Sequence, residues 1–237
     1  MRIACTRRYI YEELRGLLPP GEPEIGDIRG DWHPLNFAGD LPAPACGVPD
    51  FSARLGPPET FAPVGLPNWN SEPSVSAFLG ELALRLRSGT VVELGSFVGW
   101  TSAHLALALQ TAGSGRLHCV EGDPTFLSLA RGNLTRLGLA DRVEFHPGLS
   151  LDAAVLDKLP SSCDLVFIDT SHQYEDTVRE IDLYARRLAP GGCLALHDSI
   201  RWSGVRRAIR EAADRFHTLT FATDGGNGLT VLRPRKA

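Results

Sequence analysis

Val92-Glu93-Leu94-Gly95-Ser96-Phe97-Val98-Gly99-Trp100-Thr101-Ser102 joins the end of a short apolar run to the start of a helical segment. The first part reads as a buried strand over 90–94 and the second as a helix over 101–110. Gly95 and Gly99 fill the turn between them. Glycine lets backbone approach a ligand there, and the helix offers free N–H groups to an anion, although a tight turn needs glycine even without a ligand. Working outward, the same unit recurs. Strands over 116–121, 142–146, 163–169 and 192–197 alternate with helices over 74–86, 124–137, 151–158 and 174–188. A last helix, 205–216, leads to strands 217–222 and 229–233 around the turn Asp224-Gly225-Gly226-Asn227-Gly228. Alternating strands and helices give an α/β, doubly wound, mostly parallel seven-stranded sheet, closed by an antiparallel C-terminal hairpin.

The chain has 237 residues, 43% of them hydrophobic and 22% charged, enough for one sizeable soluble domain with a smaller attachment. A net charge of -4 gives a nucleic-acid partner no electrostatic support. No run is apolar enough to span a membrane, and the start, Met1 to Cys5, lacks the apolar core of a signal peptide. Cys5, Cys46, Cys119, Cys163 and Cys193 are odd in number and unpaired in pattern, so reduced thiols and a cytoplasmic protein are expected.

Residues 1–73 read differently from the domain at 74–237. Most of the 17 prolines fall there, yet so do Trp32, Phe37, Phe51, Phe61 and Trp69. A disordered tail is poor in aromatics. After a short helix over 8–18, this segment is expected to be an irregular arm that packs on the domain or on a second subunit. A lid over the site and a homo-oligomer are the matching expectations.

Ligands of open α/β sheets bind outside the carboxyl ends of the strands. Three strand ends carry reactive groups. Glu121-Gly122-Asp123-Pro124 follows the second strand, and an acid there suits the two hydroxyls of a ribose. The fourth strand ends in Asp169-Thr170-Ser171-His172 and the fifth in His197-Asp198. The first turn has neither the dinucleotide G-x-G-x-x-G nor the phosphate loop, so a nucleoside without phosphates fits better. Asp169 and Asp198 offer hard oxygens for Mg²⁺ or Mn²⁺. His172 can be neutral near pH 7, as a base must be.

Taken together, these residues resemble the class I S-adenosylmethionine-dependent methyltransferases over about 74–233. They are most similar to the metal-dependent O-methyltransferases of the catechol type and, closer, to the macrocin and mycinamicin sugar methyltransferases. The resemblance rests on Glu93 to Ser102, Glu121 to Pro124, Phe167 to His172, Leu188-Ala189-Pro190-Gly191-Gly192 and His197-Asp198-Ser199. It implies S-adenosylmethionine as cofactor. Glu93, Gly95, Ser96 and Gly99 would lie at its methionine end, with Thr101 near the carboxylate. Glu121 and Gly122 would hold the ribose, Ser150 would meet the adenine, and Asp169 would border both cofactor and metal. It also implies metal ligation by Asp169 and Asp198 with His197, where the family has an acid instead, and a base at His172. The expected reaction is methylation of a small-molecule hydroxyl, first of all on a sugar of a secondary metabolite such as an antibiotic. An aromatic, catechol-type acceptor is the alternative. A non-haem iron oxygenase built on His172, His197 and Asp198, and a non-catalytic cofactor-binding protein, are the rivals from other classes.

Overall fold

The computed structural model describes residues 37–41, 50–66 and 68–235. The expected helix over 8–18, Trp32, Cys5 and Cys46 lie outside the described residues. In chain order the elements are β1 (Phe37–Asp40), α1 (Phe51–Leu55), α2 (Pro73–Arg85), β2 (Thr90–Leu94), α3 (Trp100–Thr111), β3 (Arg116–Glu121), α4 (Pro124–Arg136) and β4 (Val143–Pro147). Then follow α5 (Ala153–Leu156), β5 (Cys163–Ile168), α6 (Tyr174–Ala185), β6 (Leu188–His197), α7 (Ser203–Ala212), β7 (Phe216–Ala222) and β8 (Leu229–Pro234).

The strands form one sheet in the order β1-β7-β8-β6-β5-β2-β3-β4. All seven expected strands are present. Only β8 runs antiparallel to its neighbours, β6 and β7. The eighth strand, β1, comes from the proline-rich segment and pairs parallel with β7 at the edge. The chain steps from β2 outward to β3 and β4 on one side, and returns through β5 and β6 on the other. That reversal opens a crevice at the carboxyl ends of β2 and β5.

Strand alternation sorts the core into two layers. Val92, Leu94, Val166, Ile168, Leu194 and Leu196 face α6 and α7. Val91, Leu165, Phe167, Cys193 and Ala195 face α2 and α3. Helix α3 is buried along almost its whole length, because α2 covers the side turned away from the sheet. The segment before α2 contributes to this second layer: Phe51, Leu55 and Phe61 are buried, and Phe61 meets Trp100 edge-on at 5.1 Å. Each such side chain stabilises the fold by roughly 1.5–3 kcal/mol.

The helix expected over 151–158 shortens to Ala153–Leu156. The Asp152 carboxylate accepts from Leu149 N–H at 2.8 Å, so residues 149–152 make a turn instead of a helical start. Among the described residues, no helix is long and apolar enough to cross a membrane, and Cys119, Cys163 and Cys193 are buried and free.

Candidate active site

A cavity of about 940 Å³ opens at the carboxyl ends of β2, β3, β5 and β6. It is lined by Gly95, Glu121, Gly122, Ser150, Asp169, His172, His197 and Asp198, and by Asn68, Trp69 and Asn70 from the segment before α2. Its size is that of a small-molecule site.

At one end the turn after β2 is shaped by contact with β5. Gly95 has φ +85°, and a Cβ there would lie 1.9 Å from the Asp169 carbonyl oxygen. Glu121 reaches across from β3: one carboxylate oxygen accepts from Phe97 N–H at 2.8 Å, the other from Asp123 N–H at 2.9 Å. A carboxylate has about four acceptor positions, so two remain for hydroxyl donors. Beyond it, Gly148-Leu149-Ser150 forms a second wall. The Ser150 hydroxyl donates to the buried Glu180, which also accepts from Thr170 at 2.9 Å. Trp69, Phe97 and Phe126 make an aromatic cluster at the mouth, with centroids 4.7 to 6.3 Å apart.

Four residues expected at the cofactor lie outside the cavity lining. Gly99 has φ +85° and starts α3, but its missing side chain makes room for Ala130 and Leu134 of α4. Thr101 is held in a buried trio of hydroxyls, 2.5 Å from Ser71 and 3.1 Å from Ser76. Ser96 lies under the turn with its buried hydroxyl unpartnered. Glu93 sits below it, accepting from Ser102 at 2.5 Å and from the Cys119 thiol at 3.3 Å.

Burial pushes the Glu93 carboxyl up to about 7, against the opposing effect of its Ser102 and Cys119 hydrogen bonds. The folded protein therefore holds this proton more tightly than the unfolded chain. Stability falls as pH rises from about 4.5 to 7, and the loss is complete above 7. Glu93→Gln should remove this slope, leaving the variant more stable than the parent by about 3 kcal/mol at pH 8 and close to it at pH 4. Melting curves across that range check it; parallel pH profiles would reject the assignment.

At the other end of the cavity Asp169, His172 and Asp198 converge. Strand β6 ends at His197, so the next residue is free to turn. Asp198 takes φ +57° and His172 takes φ +58°. Among the described residues only four non-glycine residues have positive φ, and three of them, Phe97, His172 and Asp198, line this cavity. Such conformations cost about 1–3 kcal/mol each and persist where the surroundings impose them. The outcome here is that His172 Nε2 lies 2.8 Å from Asp198 Oδ2 and 3.3 Å from Asp169 Oδ1. Its ring stacks on Trp202, 9° from parallel with centroids 5.2 Å apart. Burial opposes the imidazolium, but the two carboxylates win and raise His172 to about 9. The buried Arg206 donates to the Ile200 and Arg201 carbonyls and so fixes the loop after Asp198.

His197, expected as a metal ligand, is engaged elsewhere. Its Nε2 lies 2.7 Å from Glu72 Oε2 and its Nδ1 3.3 Å from Asp169 Oδ2. Burial disfavours its charge, yet Asp169, Glu72 and Asp198 hold it protonated, well above the usual histidine range. Both ring nitrogens thus face carboxylates, and His197 stands outside the group of Asp169, His172 and Asp198 whose ligand atoms converge. Glu72 is the residue that the sequence did not single out. It is the N-cap residue of α2, but its side chain makes no cap hydrogen bond; the carboxylate instead takes His197 on one oxygen and Thr223 on the other, at 2.6 Å. Burial opposes that charge, and the His197 contact brings Glu72 down to about 2.

The residues fit the two expected groups unequally. For a nucleoside, Glu121 and the side-chain-free stretch at Gly95 and Gly122 are in place. For a divalent cation, ligand atoms of Asp169, His172 and Asp198 all lie within 4.8 Å of one another. Two hard oxygens and one imidazole suit Mg²⁺ or Mn²⁺ through the carboxylates. His172 itself sits between those carboxylates, so its proton and a cation compete for the same place.

The chain is also similar to known methyltransferases. A methyltransferase domain family matches residues 92–199. A catechol O-methyltransferase of Niastella koreensis is 28% identical over 150 residues, 62% of this chain and 66% of that protein. A catechol O-methyltransferase of Mycobacterium tuberculosis is 36% identical over 142 residues, 58% of this chain and 60% of that protein. The chain thus spans about three fifths of the length of these curated relatives. Among solved structures, the O-methyltransferase from Bacillus cereus in complex with SAH superposes with a TM-score of 0.66 at 22% identity, over 80% of this chain and 94% of that one. Residues 92–199 are thus similar to a methyltransferase domain, and the chain has the fold of that O-methyltransferase structure.

Proposed function

We propose that this protein is an S-adenosylmethionine-dependent O-methyltransferase acting on a hydroxyl of a small molecule, with His172 as proton acceptor. The observation that carries the reading is Asp169. Its carbonyl lies against Gly95 at the nucleoside turn while its carboxylate faces His172, so both halves of the cavity meet on one residue. When bound, the cofactor supplies a sulfonium methyl open to in-line attack by oxygen. A divalent cation held by Asp169 and Asp198 supplies positive charge that lowers the pKa of the acceptor hydroxyl.

The chain's own groups do the rest. Glu121 fixes the ribose end, and Gly122 and Ser150 border the nucleoside. His172 Nε2 takes the hydroxyl proton, and Asp169 and Asp198 stabilise the imidazolium that results. Trp202 holds the ring by stacking, and Asn68, Trp69 and Asn70 close the mouth as a lid. The acceptor enters beside Arg201, Trp202 and Asn227. Either a sugar or an aromatic diol can lie along an indole face. The names of the two curated relatives favour an aromatic diol as the first acceptor to assay, with a sugar hydroxyl second.

The test is calorimetry with S-adenosylhomocysteine, followed by methyl transfer to both acceptor types with Mg²⁺, with Mn²⁺ and with a chelator. Glu121→Ala should weaken S-adenosylhomocysteine at least about tenfold, the loss of one charge-assisted hydrogen-bond site. Unchanged affinity in that variant would remove Glu121 from the cofactor site. Full turnover in chelator would remove the cation from the mechanism.

A further inference from the structure

Strands β3 and β4 carry a second cluster of donor groups, at the sheet edge and outside the cavity. The register pairs His118 with Glu144 and Val120 with His146. Strand alternation then puts His118, Glu144 and His146 on one face of the sheet, the face that Val120 shares with Val155 of α5. His118 Nδ1 lies 3.1 Å from His146 Nε2. The Glu144 carboxylate brings one oxygen to 3.7 Å from His118 Nδ1 and the other to 3.8 Å from His146 Nε2. The two histidines are buried, while Glu144 is half exposed at the rim.

In neutral tautomers one ring donates its N–H to the other, and the same two nitrogens can instead turn lone pairs on a cation, since each neutral imidazole has one unprotonated nitrogen. Burial favours the uncharged rings, helped by Arg116 and Lys158 and opposed by Glu144. Around a zinc-like ion with bonds of about 2.0–2.1 Å, tetrahedral geometry puts neighbouring ligand atoms about 3.3 Å apart. The observed 3.1 Å is already within a few tenths of an ångström of that separation. The carboxylate must close by less than about half an ångström, and its exposure leaves it free to do so.

From this geometry we infer that His118, Glu144 and His146 form a binding site for a borderline divalent transition metal, such as Zn²⁺, Co²⁺ or Ni²⁺. Two imidazoles and one carboxylate leave a fourth position open to water on the exposed side. The site differs in chemistry from the pair Asp169 and Asp198, whose hard oxygens suit Mg²⁺. It also ties the metal to the cofactor pocket, because His146 stands two residues before Gly148, where the wall formed by Leu149 and Ser150 begins.

The experiment is a Zn²⁺ titration of the metal-stripped full chain in a large excess of Mg²⁺, which occupies the carboxylate site. The parent protein and Asp198→Asn should each bind about one equivalent. His146→Gln and the exposed Glu144→Gln should each weaken Zn²⁺ by about tenfold or more while binding S-adenosylhomocysteine normally, which shows that they are folded. Co²⁺ should give a visible absorption band that His146→Gln abolishes. No Zn²⁺ uptake by the parent under excess Mg²⁺, or equal uptake by folded His146→Gln and Glu144→Gln, would overturn the site.

Discussion

His172→Ala should lower turnover by about 10²–10⁴-fold and leave S-adenosylhomocysteine affinity within about twofold. The ring removed lies 3.3 Å from Asp169 and 2.8 Å from Asp198, and it packs against Trp202 on the side of the cavity away from Glu121. A proton acceptor must start neutral. With its pKa raised to about 9, His172 is protonated at neutral pH in the arrangement described, so turnover should rise with pH through that range. A cation between the same carboxylates screens them from the ring and lowers its pKa. The midpoint of the pH profile should therefore move down when Mg²⁺ is saturating. Near-parental turnover in His172→Ala, at any pH between 7 and 9, would show that the hydroxyl loses its proton elsewhere.

Gly95→Ala should cost more than alanine at any other glycine among the described residues. The new Cβ would need the space of the Asp169 carbonyl oxygen, 1.9 Å away, and a backbone atom cannot swing aside as a side chain can. The strand ends are also tied here, with Asp169 N–H donating to the Leu94 carbonyl at 2.9 Å. A φ of +85° adds the strain of a left-handed conformation, about 1–2 kcal/mol for an L-residue. The expected sum is at least about 3 kcal/mol, a fall in Tm on the order of 10 °C, with loss of cofactor binding because β2 and β5 must part at the crevice. Gly132→Ala is the control. Gly132 lies in α4 with open space around its Cβ, and that variant should gain up to about 1 kcal/mol from helix propensity. Equal Tm values for Gly95→Ala and the parent would refute the contact.

The sheet was legible in the sequence because each strand is an apolar run of ordinary length with a turn at either end, and these local signals agree with the tertiary outcome. The seven expected strands match within a few residues. What escaped was non-local. The strand at Phe37–Asp40 has no apolar pattern of its own and forms because β7 offers a free edge. At the site, Gly95, Glu121, Asp169, His172 and Asp198 were legible since they stand at strand ends, where spacing reports position. Gly99 and Thr101 follow the same spacing but are used by packing, against Ala130 and Leu134 in one case and against Ser71 and Ser76 in the other. A sequence cannot separate a glycine that admits a ligand from one that admits a helix. Nothing local to His197 shows that its ring is paired with Glu72, because that partner lies 125 residues away, before a proline that by itself signals only a helix start. The left-handed turns at His172 and Asp198, which bring the two strand ends together, also leave no local signature in those residues.

The Glu72–His197 pair has a consequence for how this protein can change over time. The carboxylate lies outside the stretch that matches the methyltransferase family, and the imidazolium lies within it. His197 is buried and Glu72 nearly so; losing His197 alone strands the Glu72 carboxylate at a cost of about 3–5 kcal/mol, whereas losing Glu72 leaves the imidazole to Asp169, 3.3 Å away. A descendant of this chain that loses His197 should therefore lose the Glu72 carboxylate with it. A graft that carries residues 92–199 onto another scaffold keeps the Asp169 side of this imidazole and leaves the Glu72 side behind.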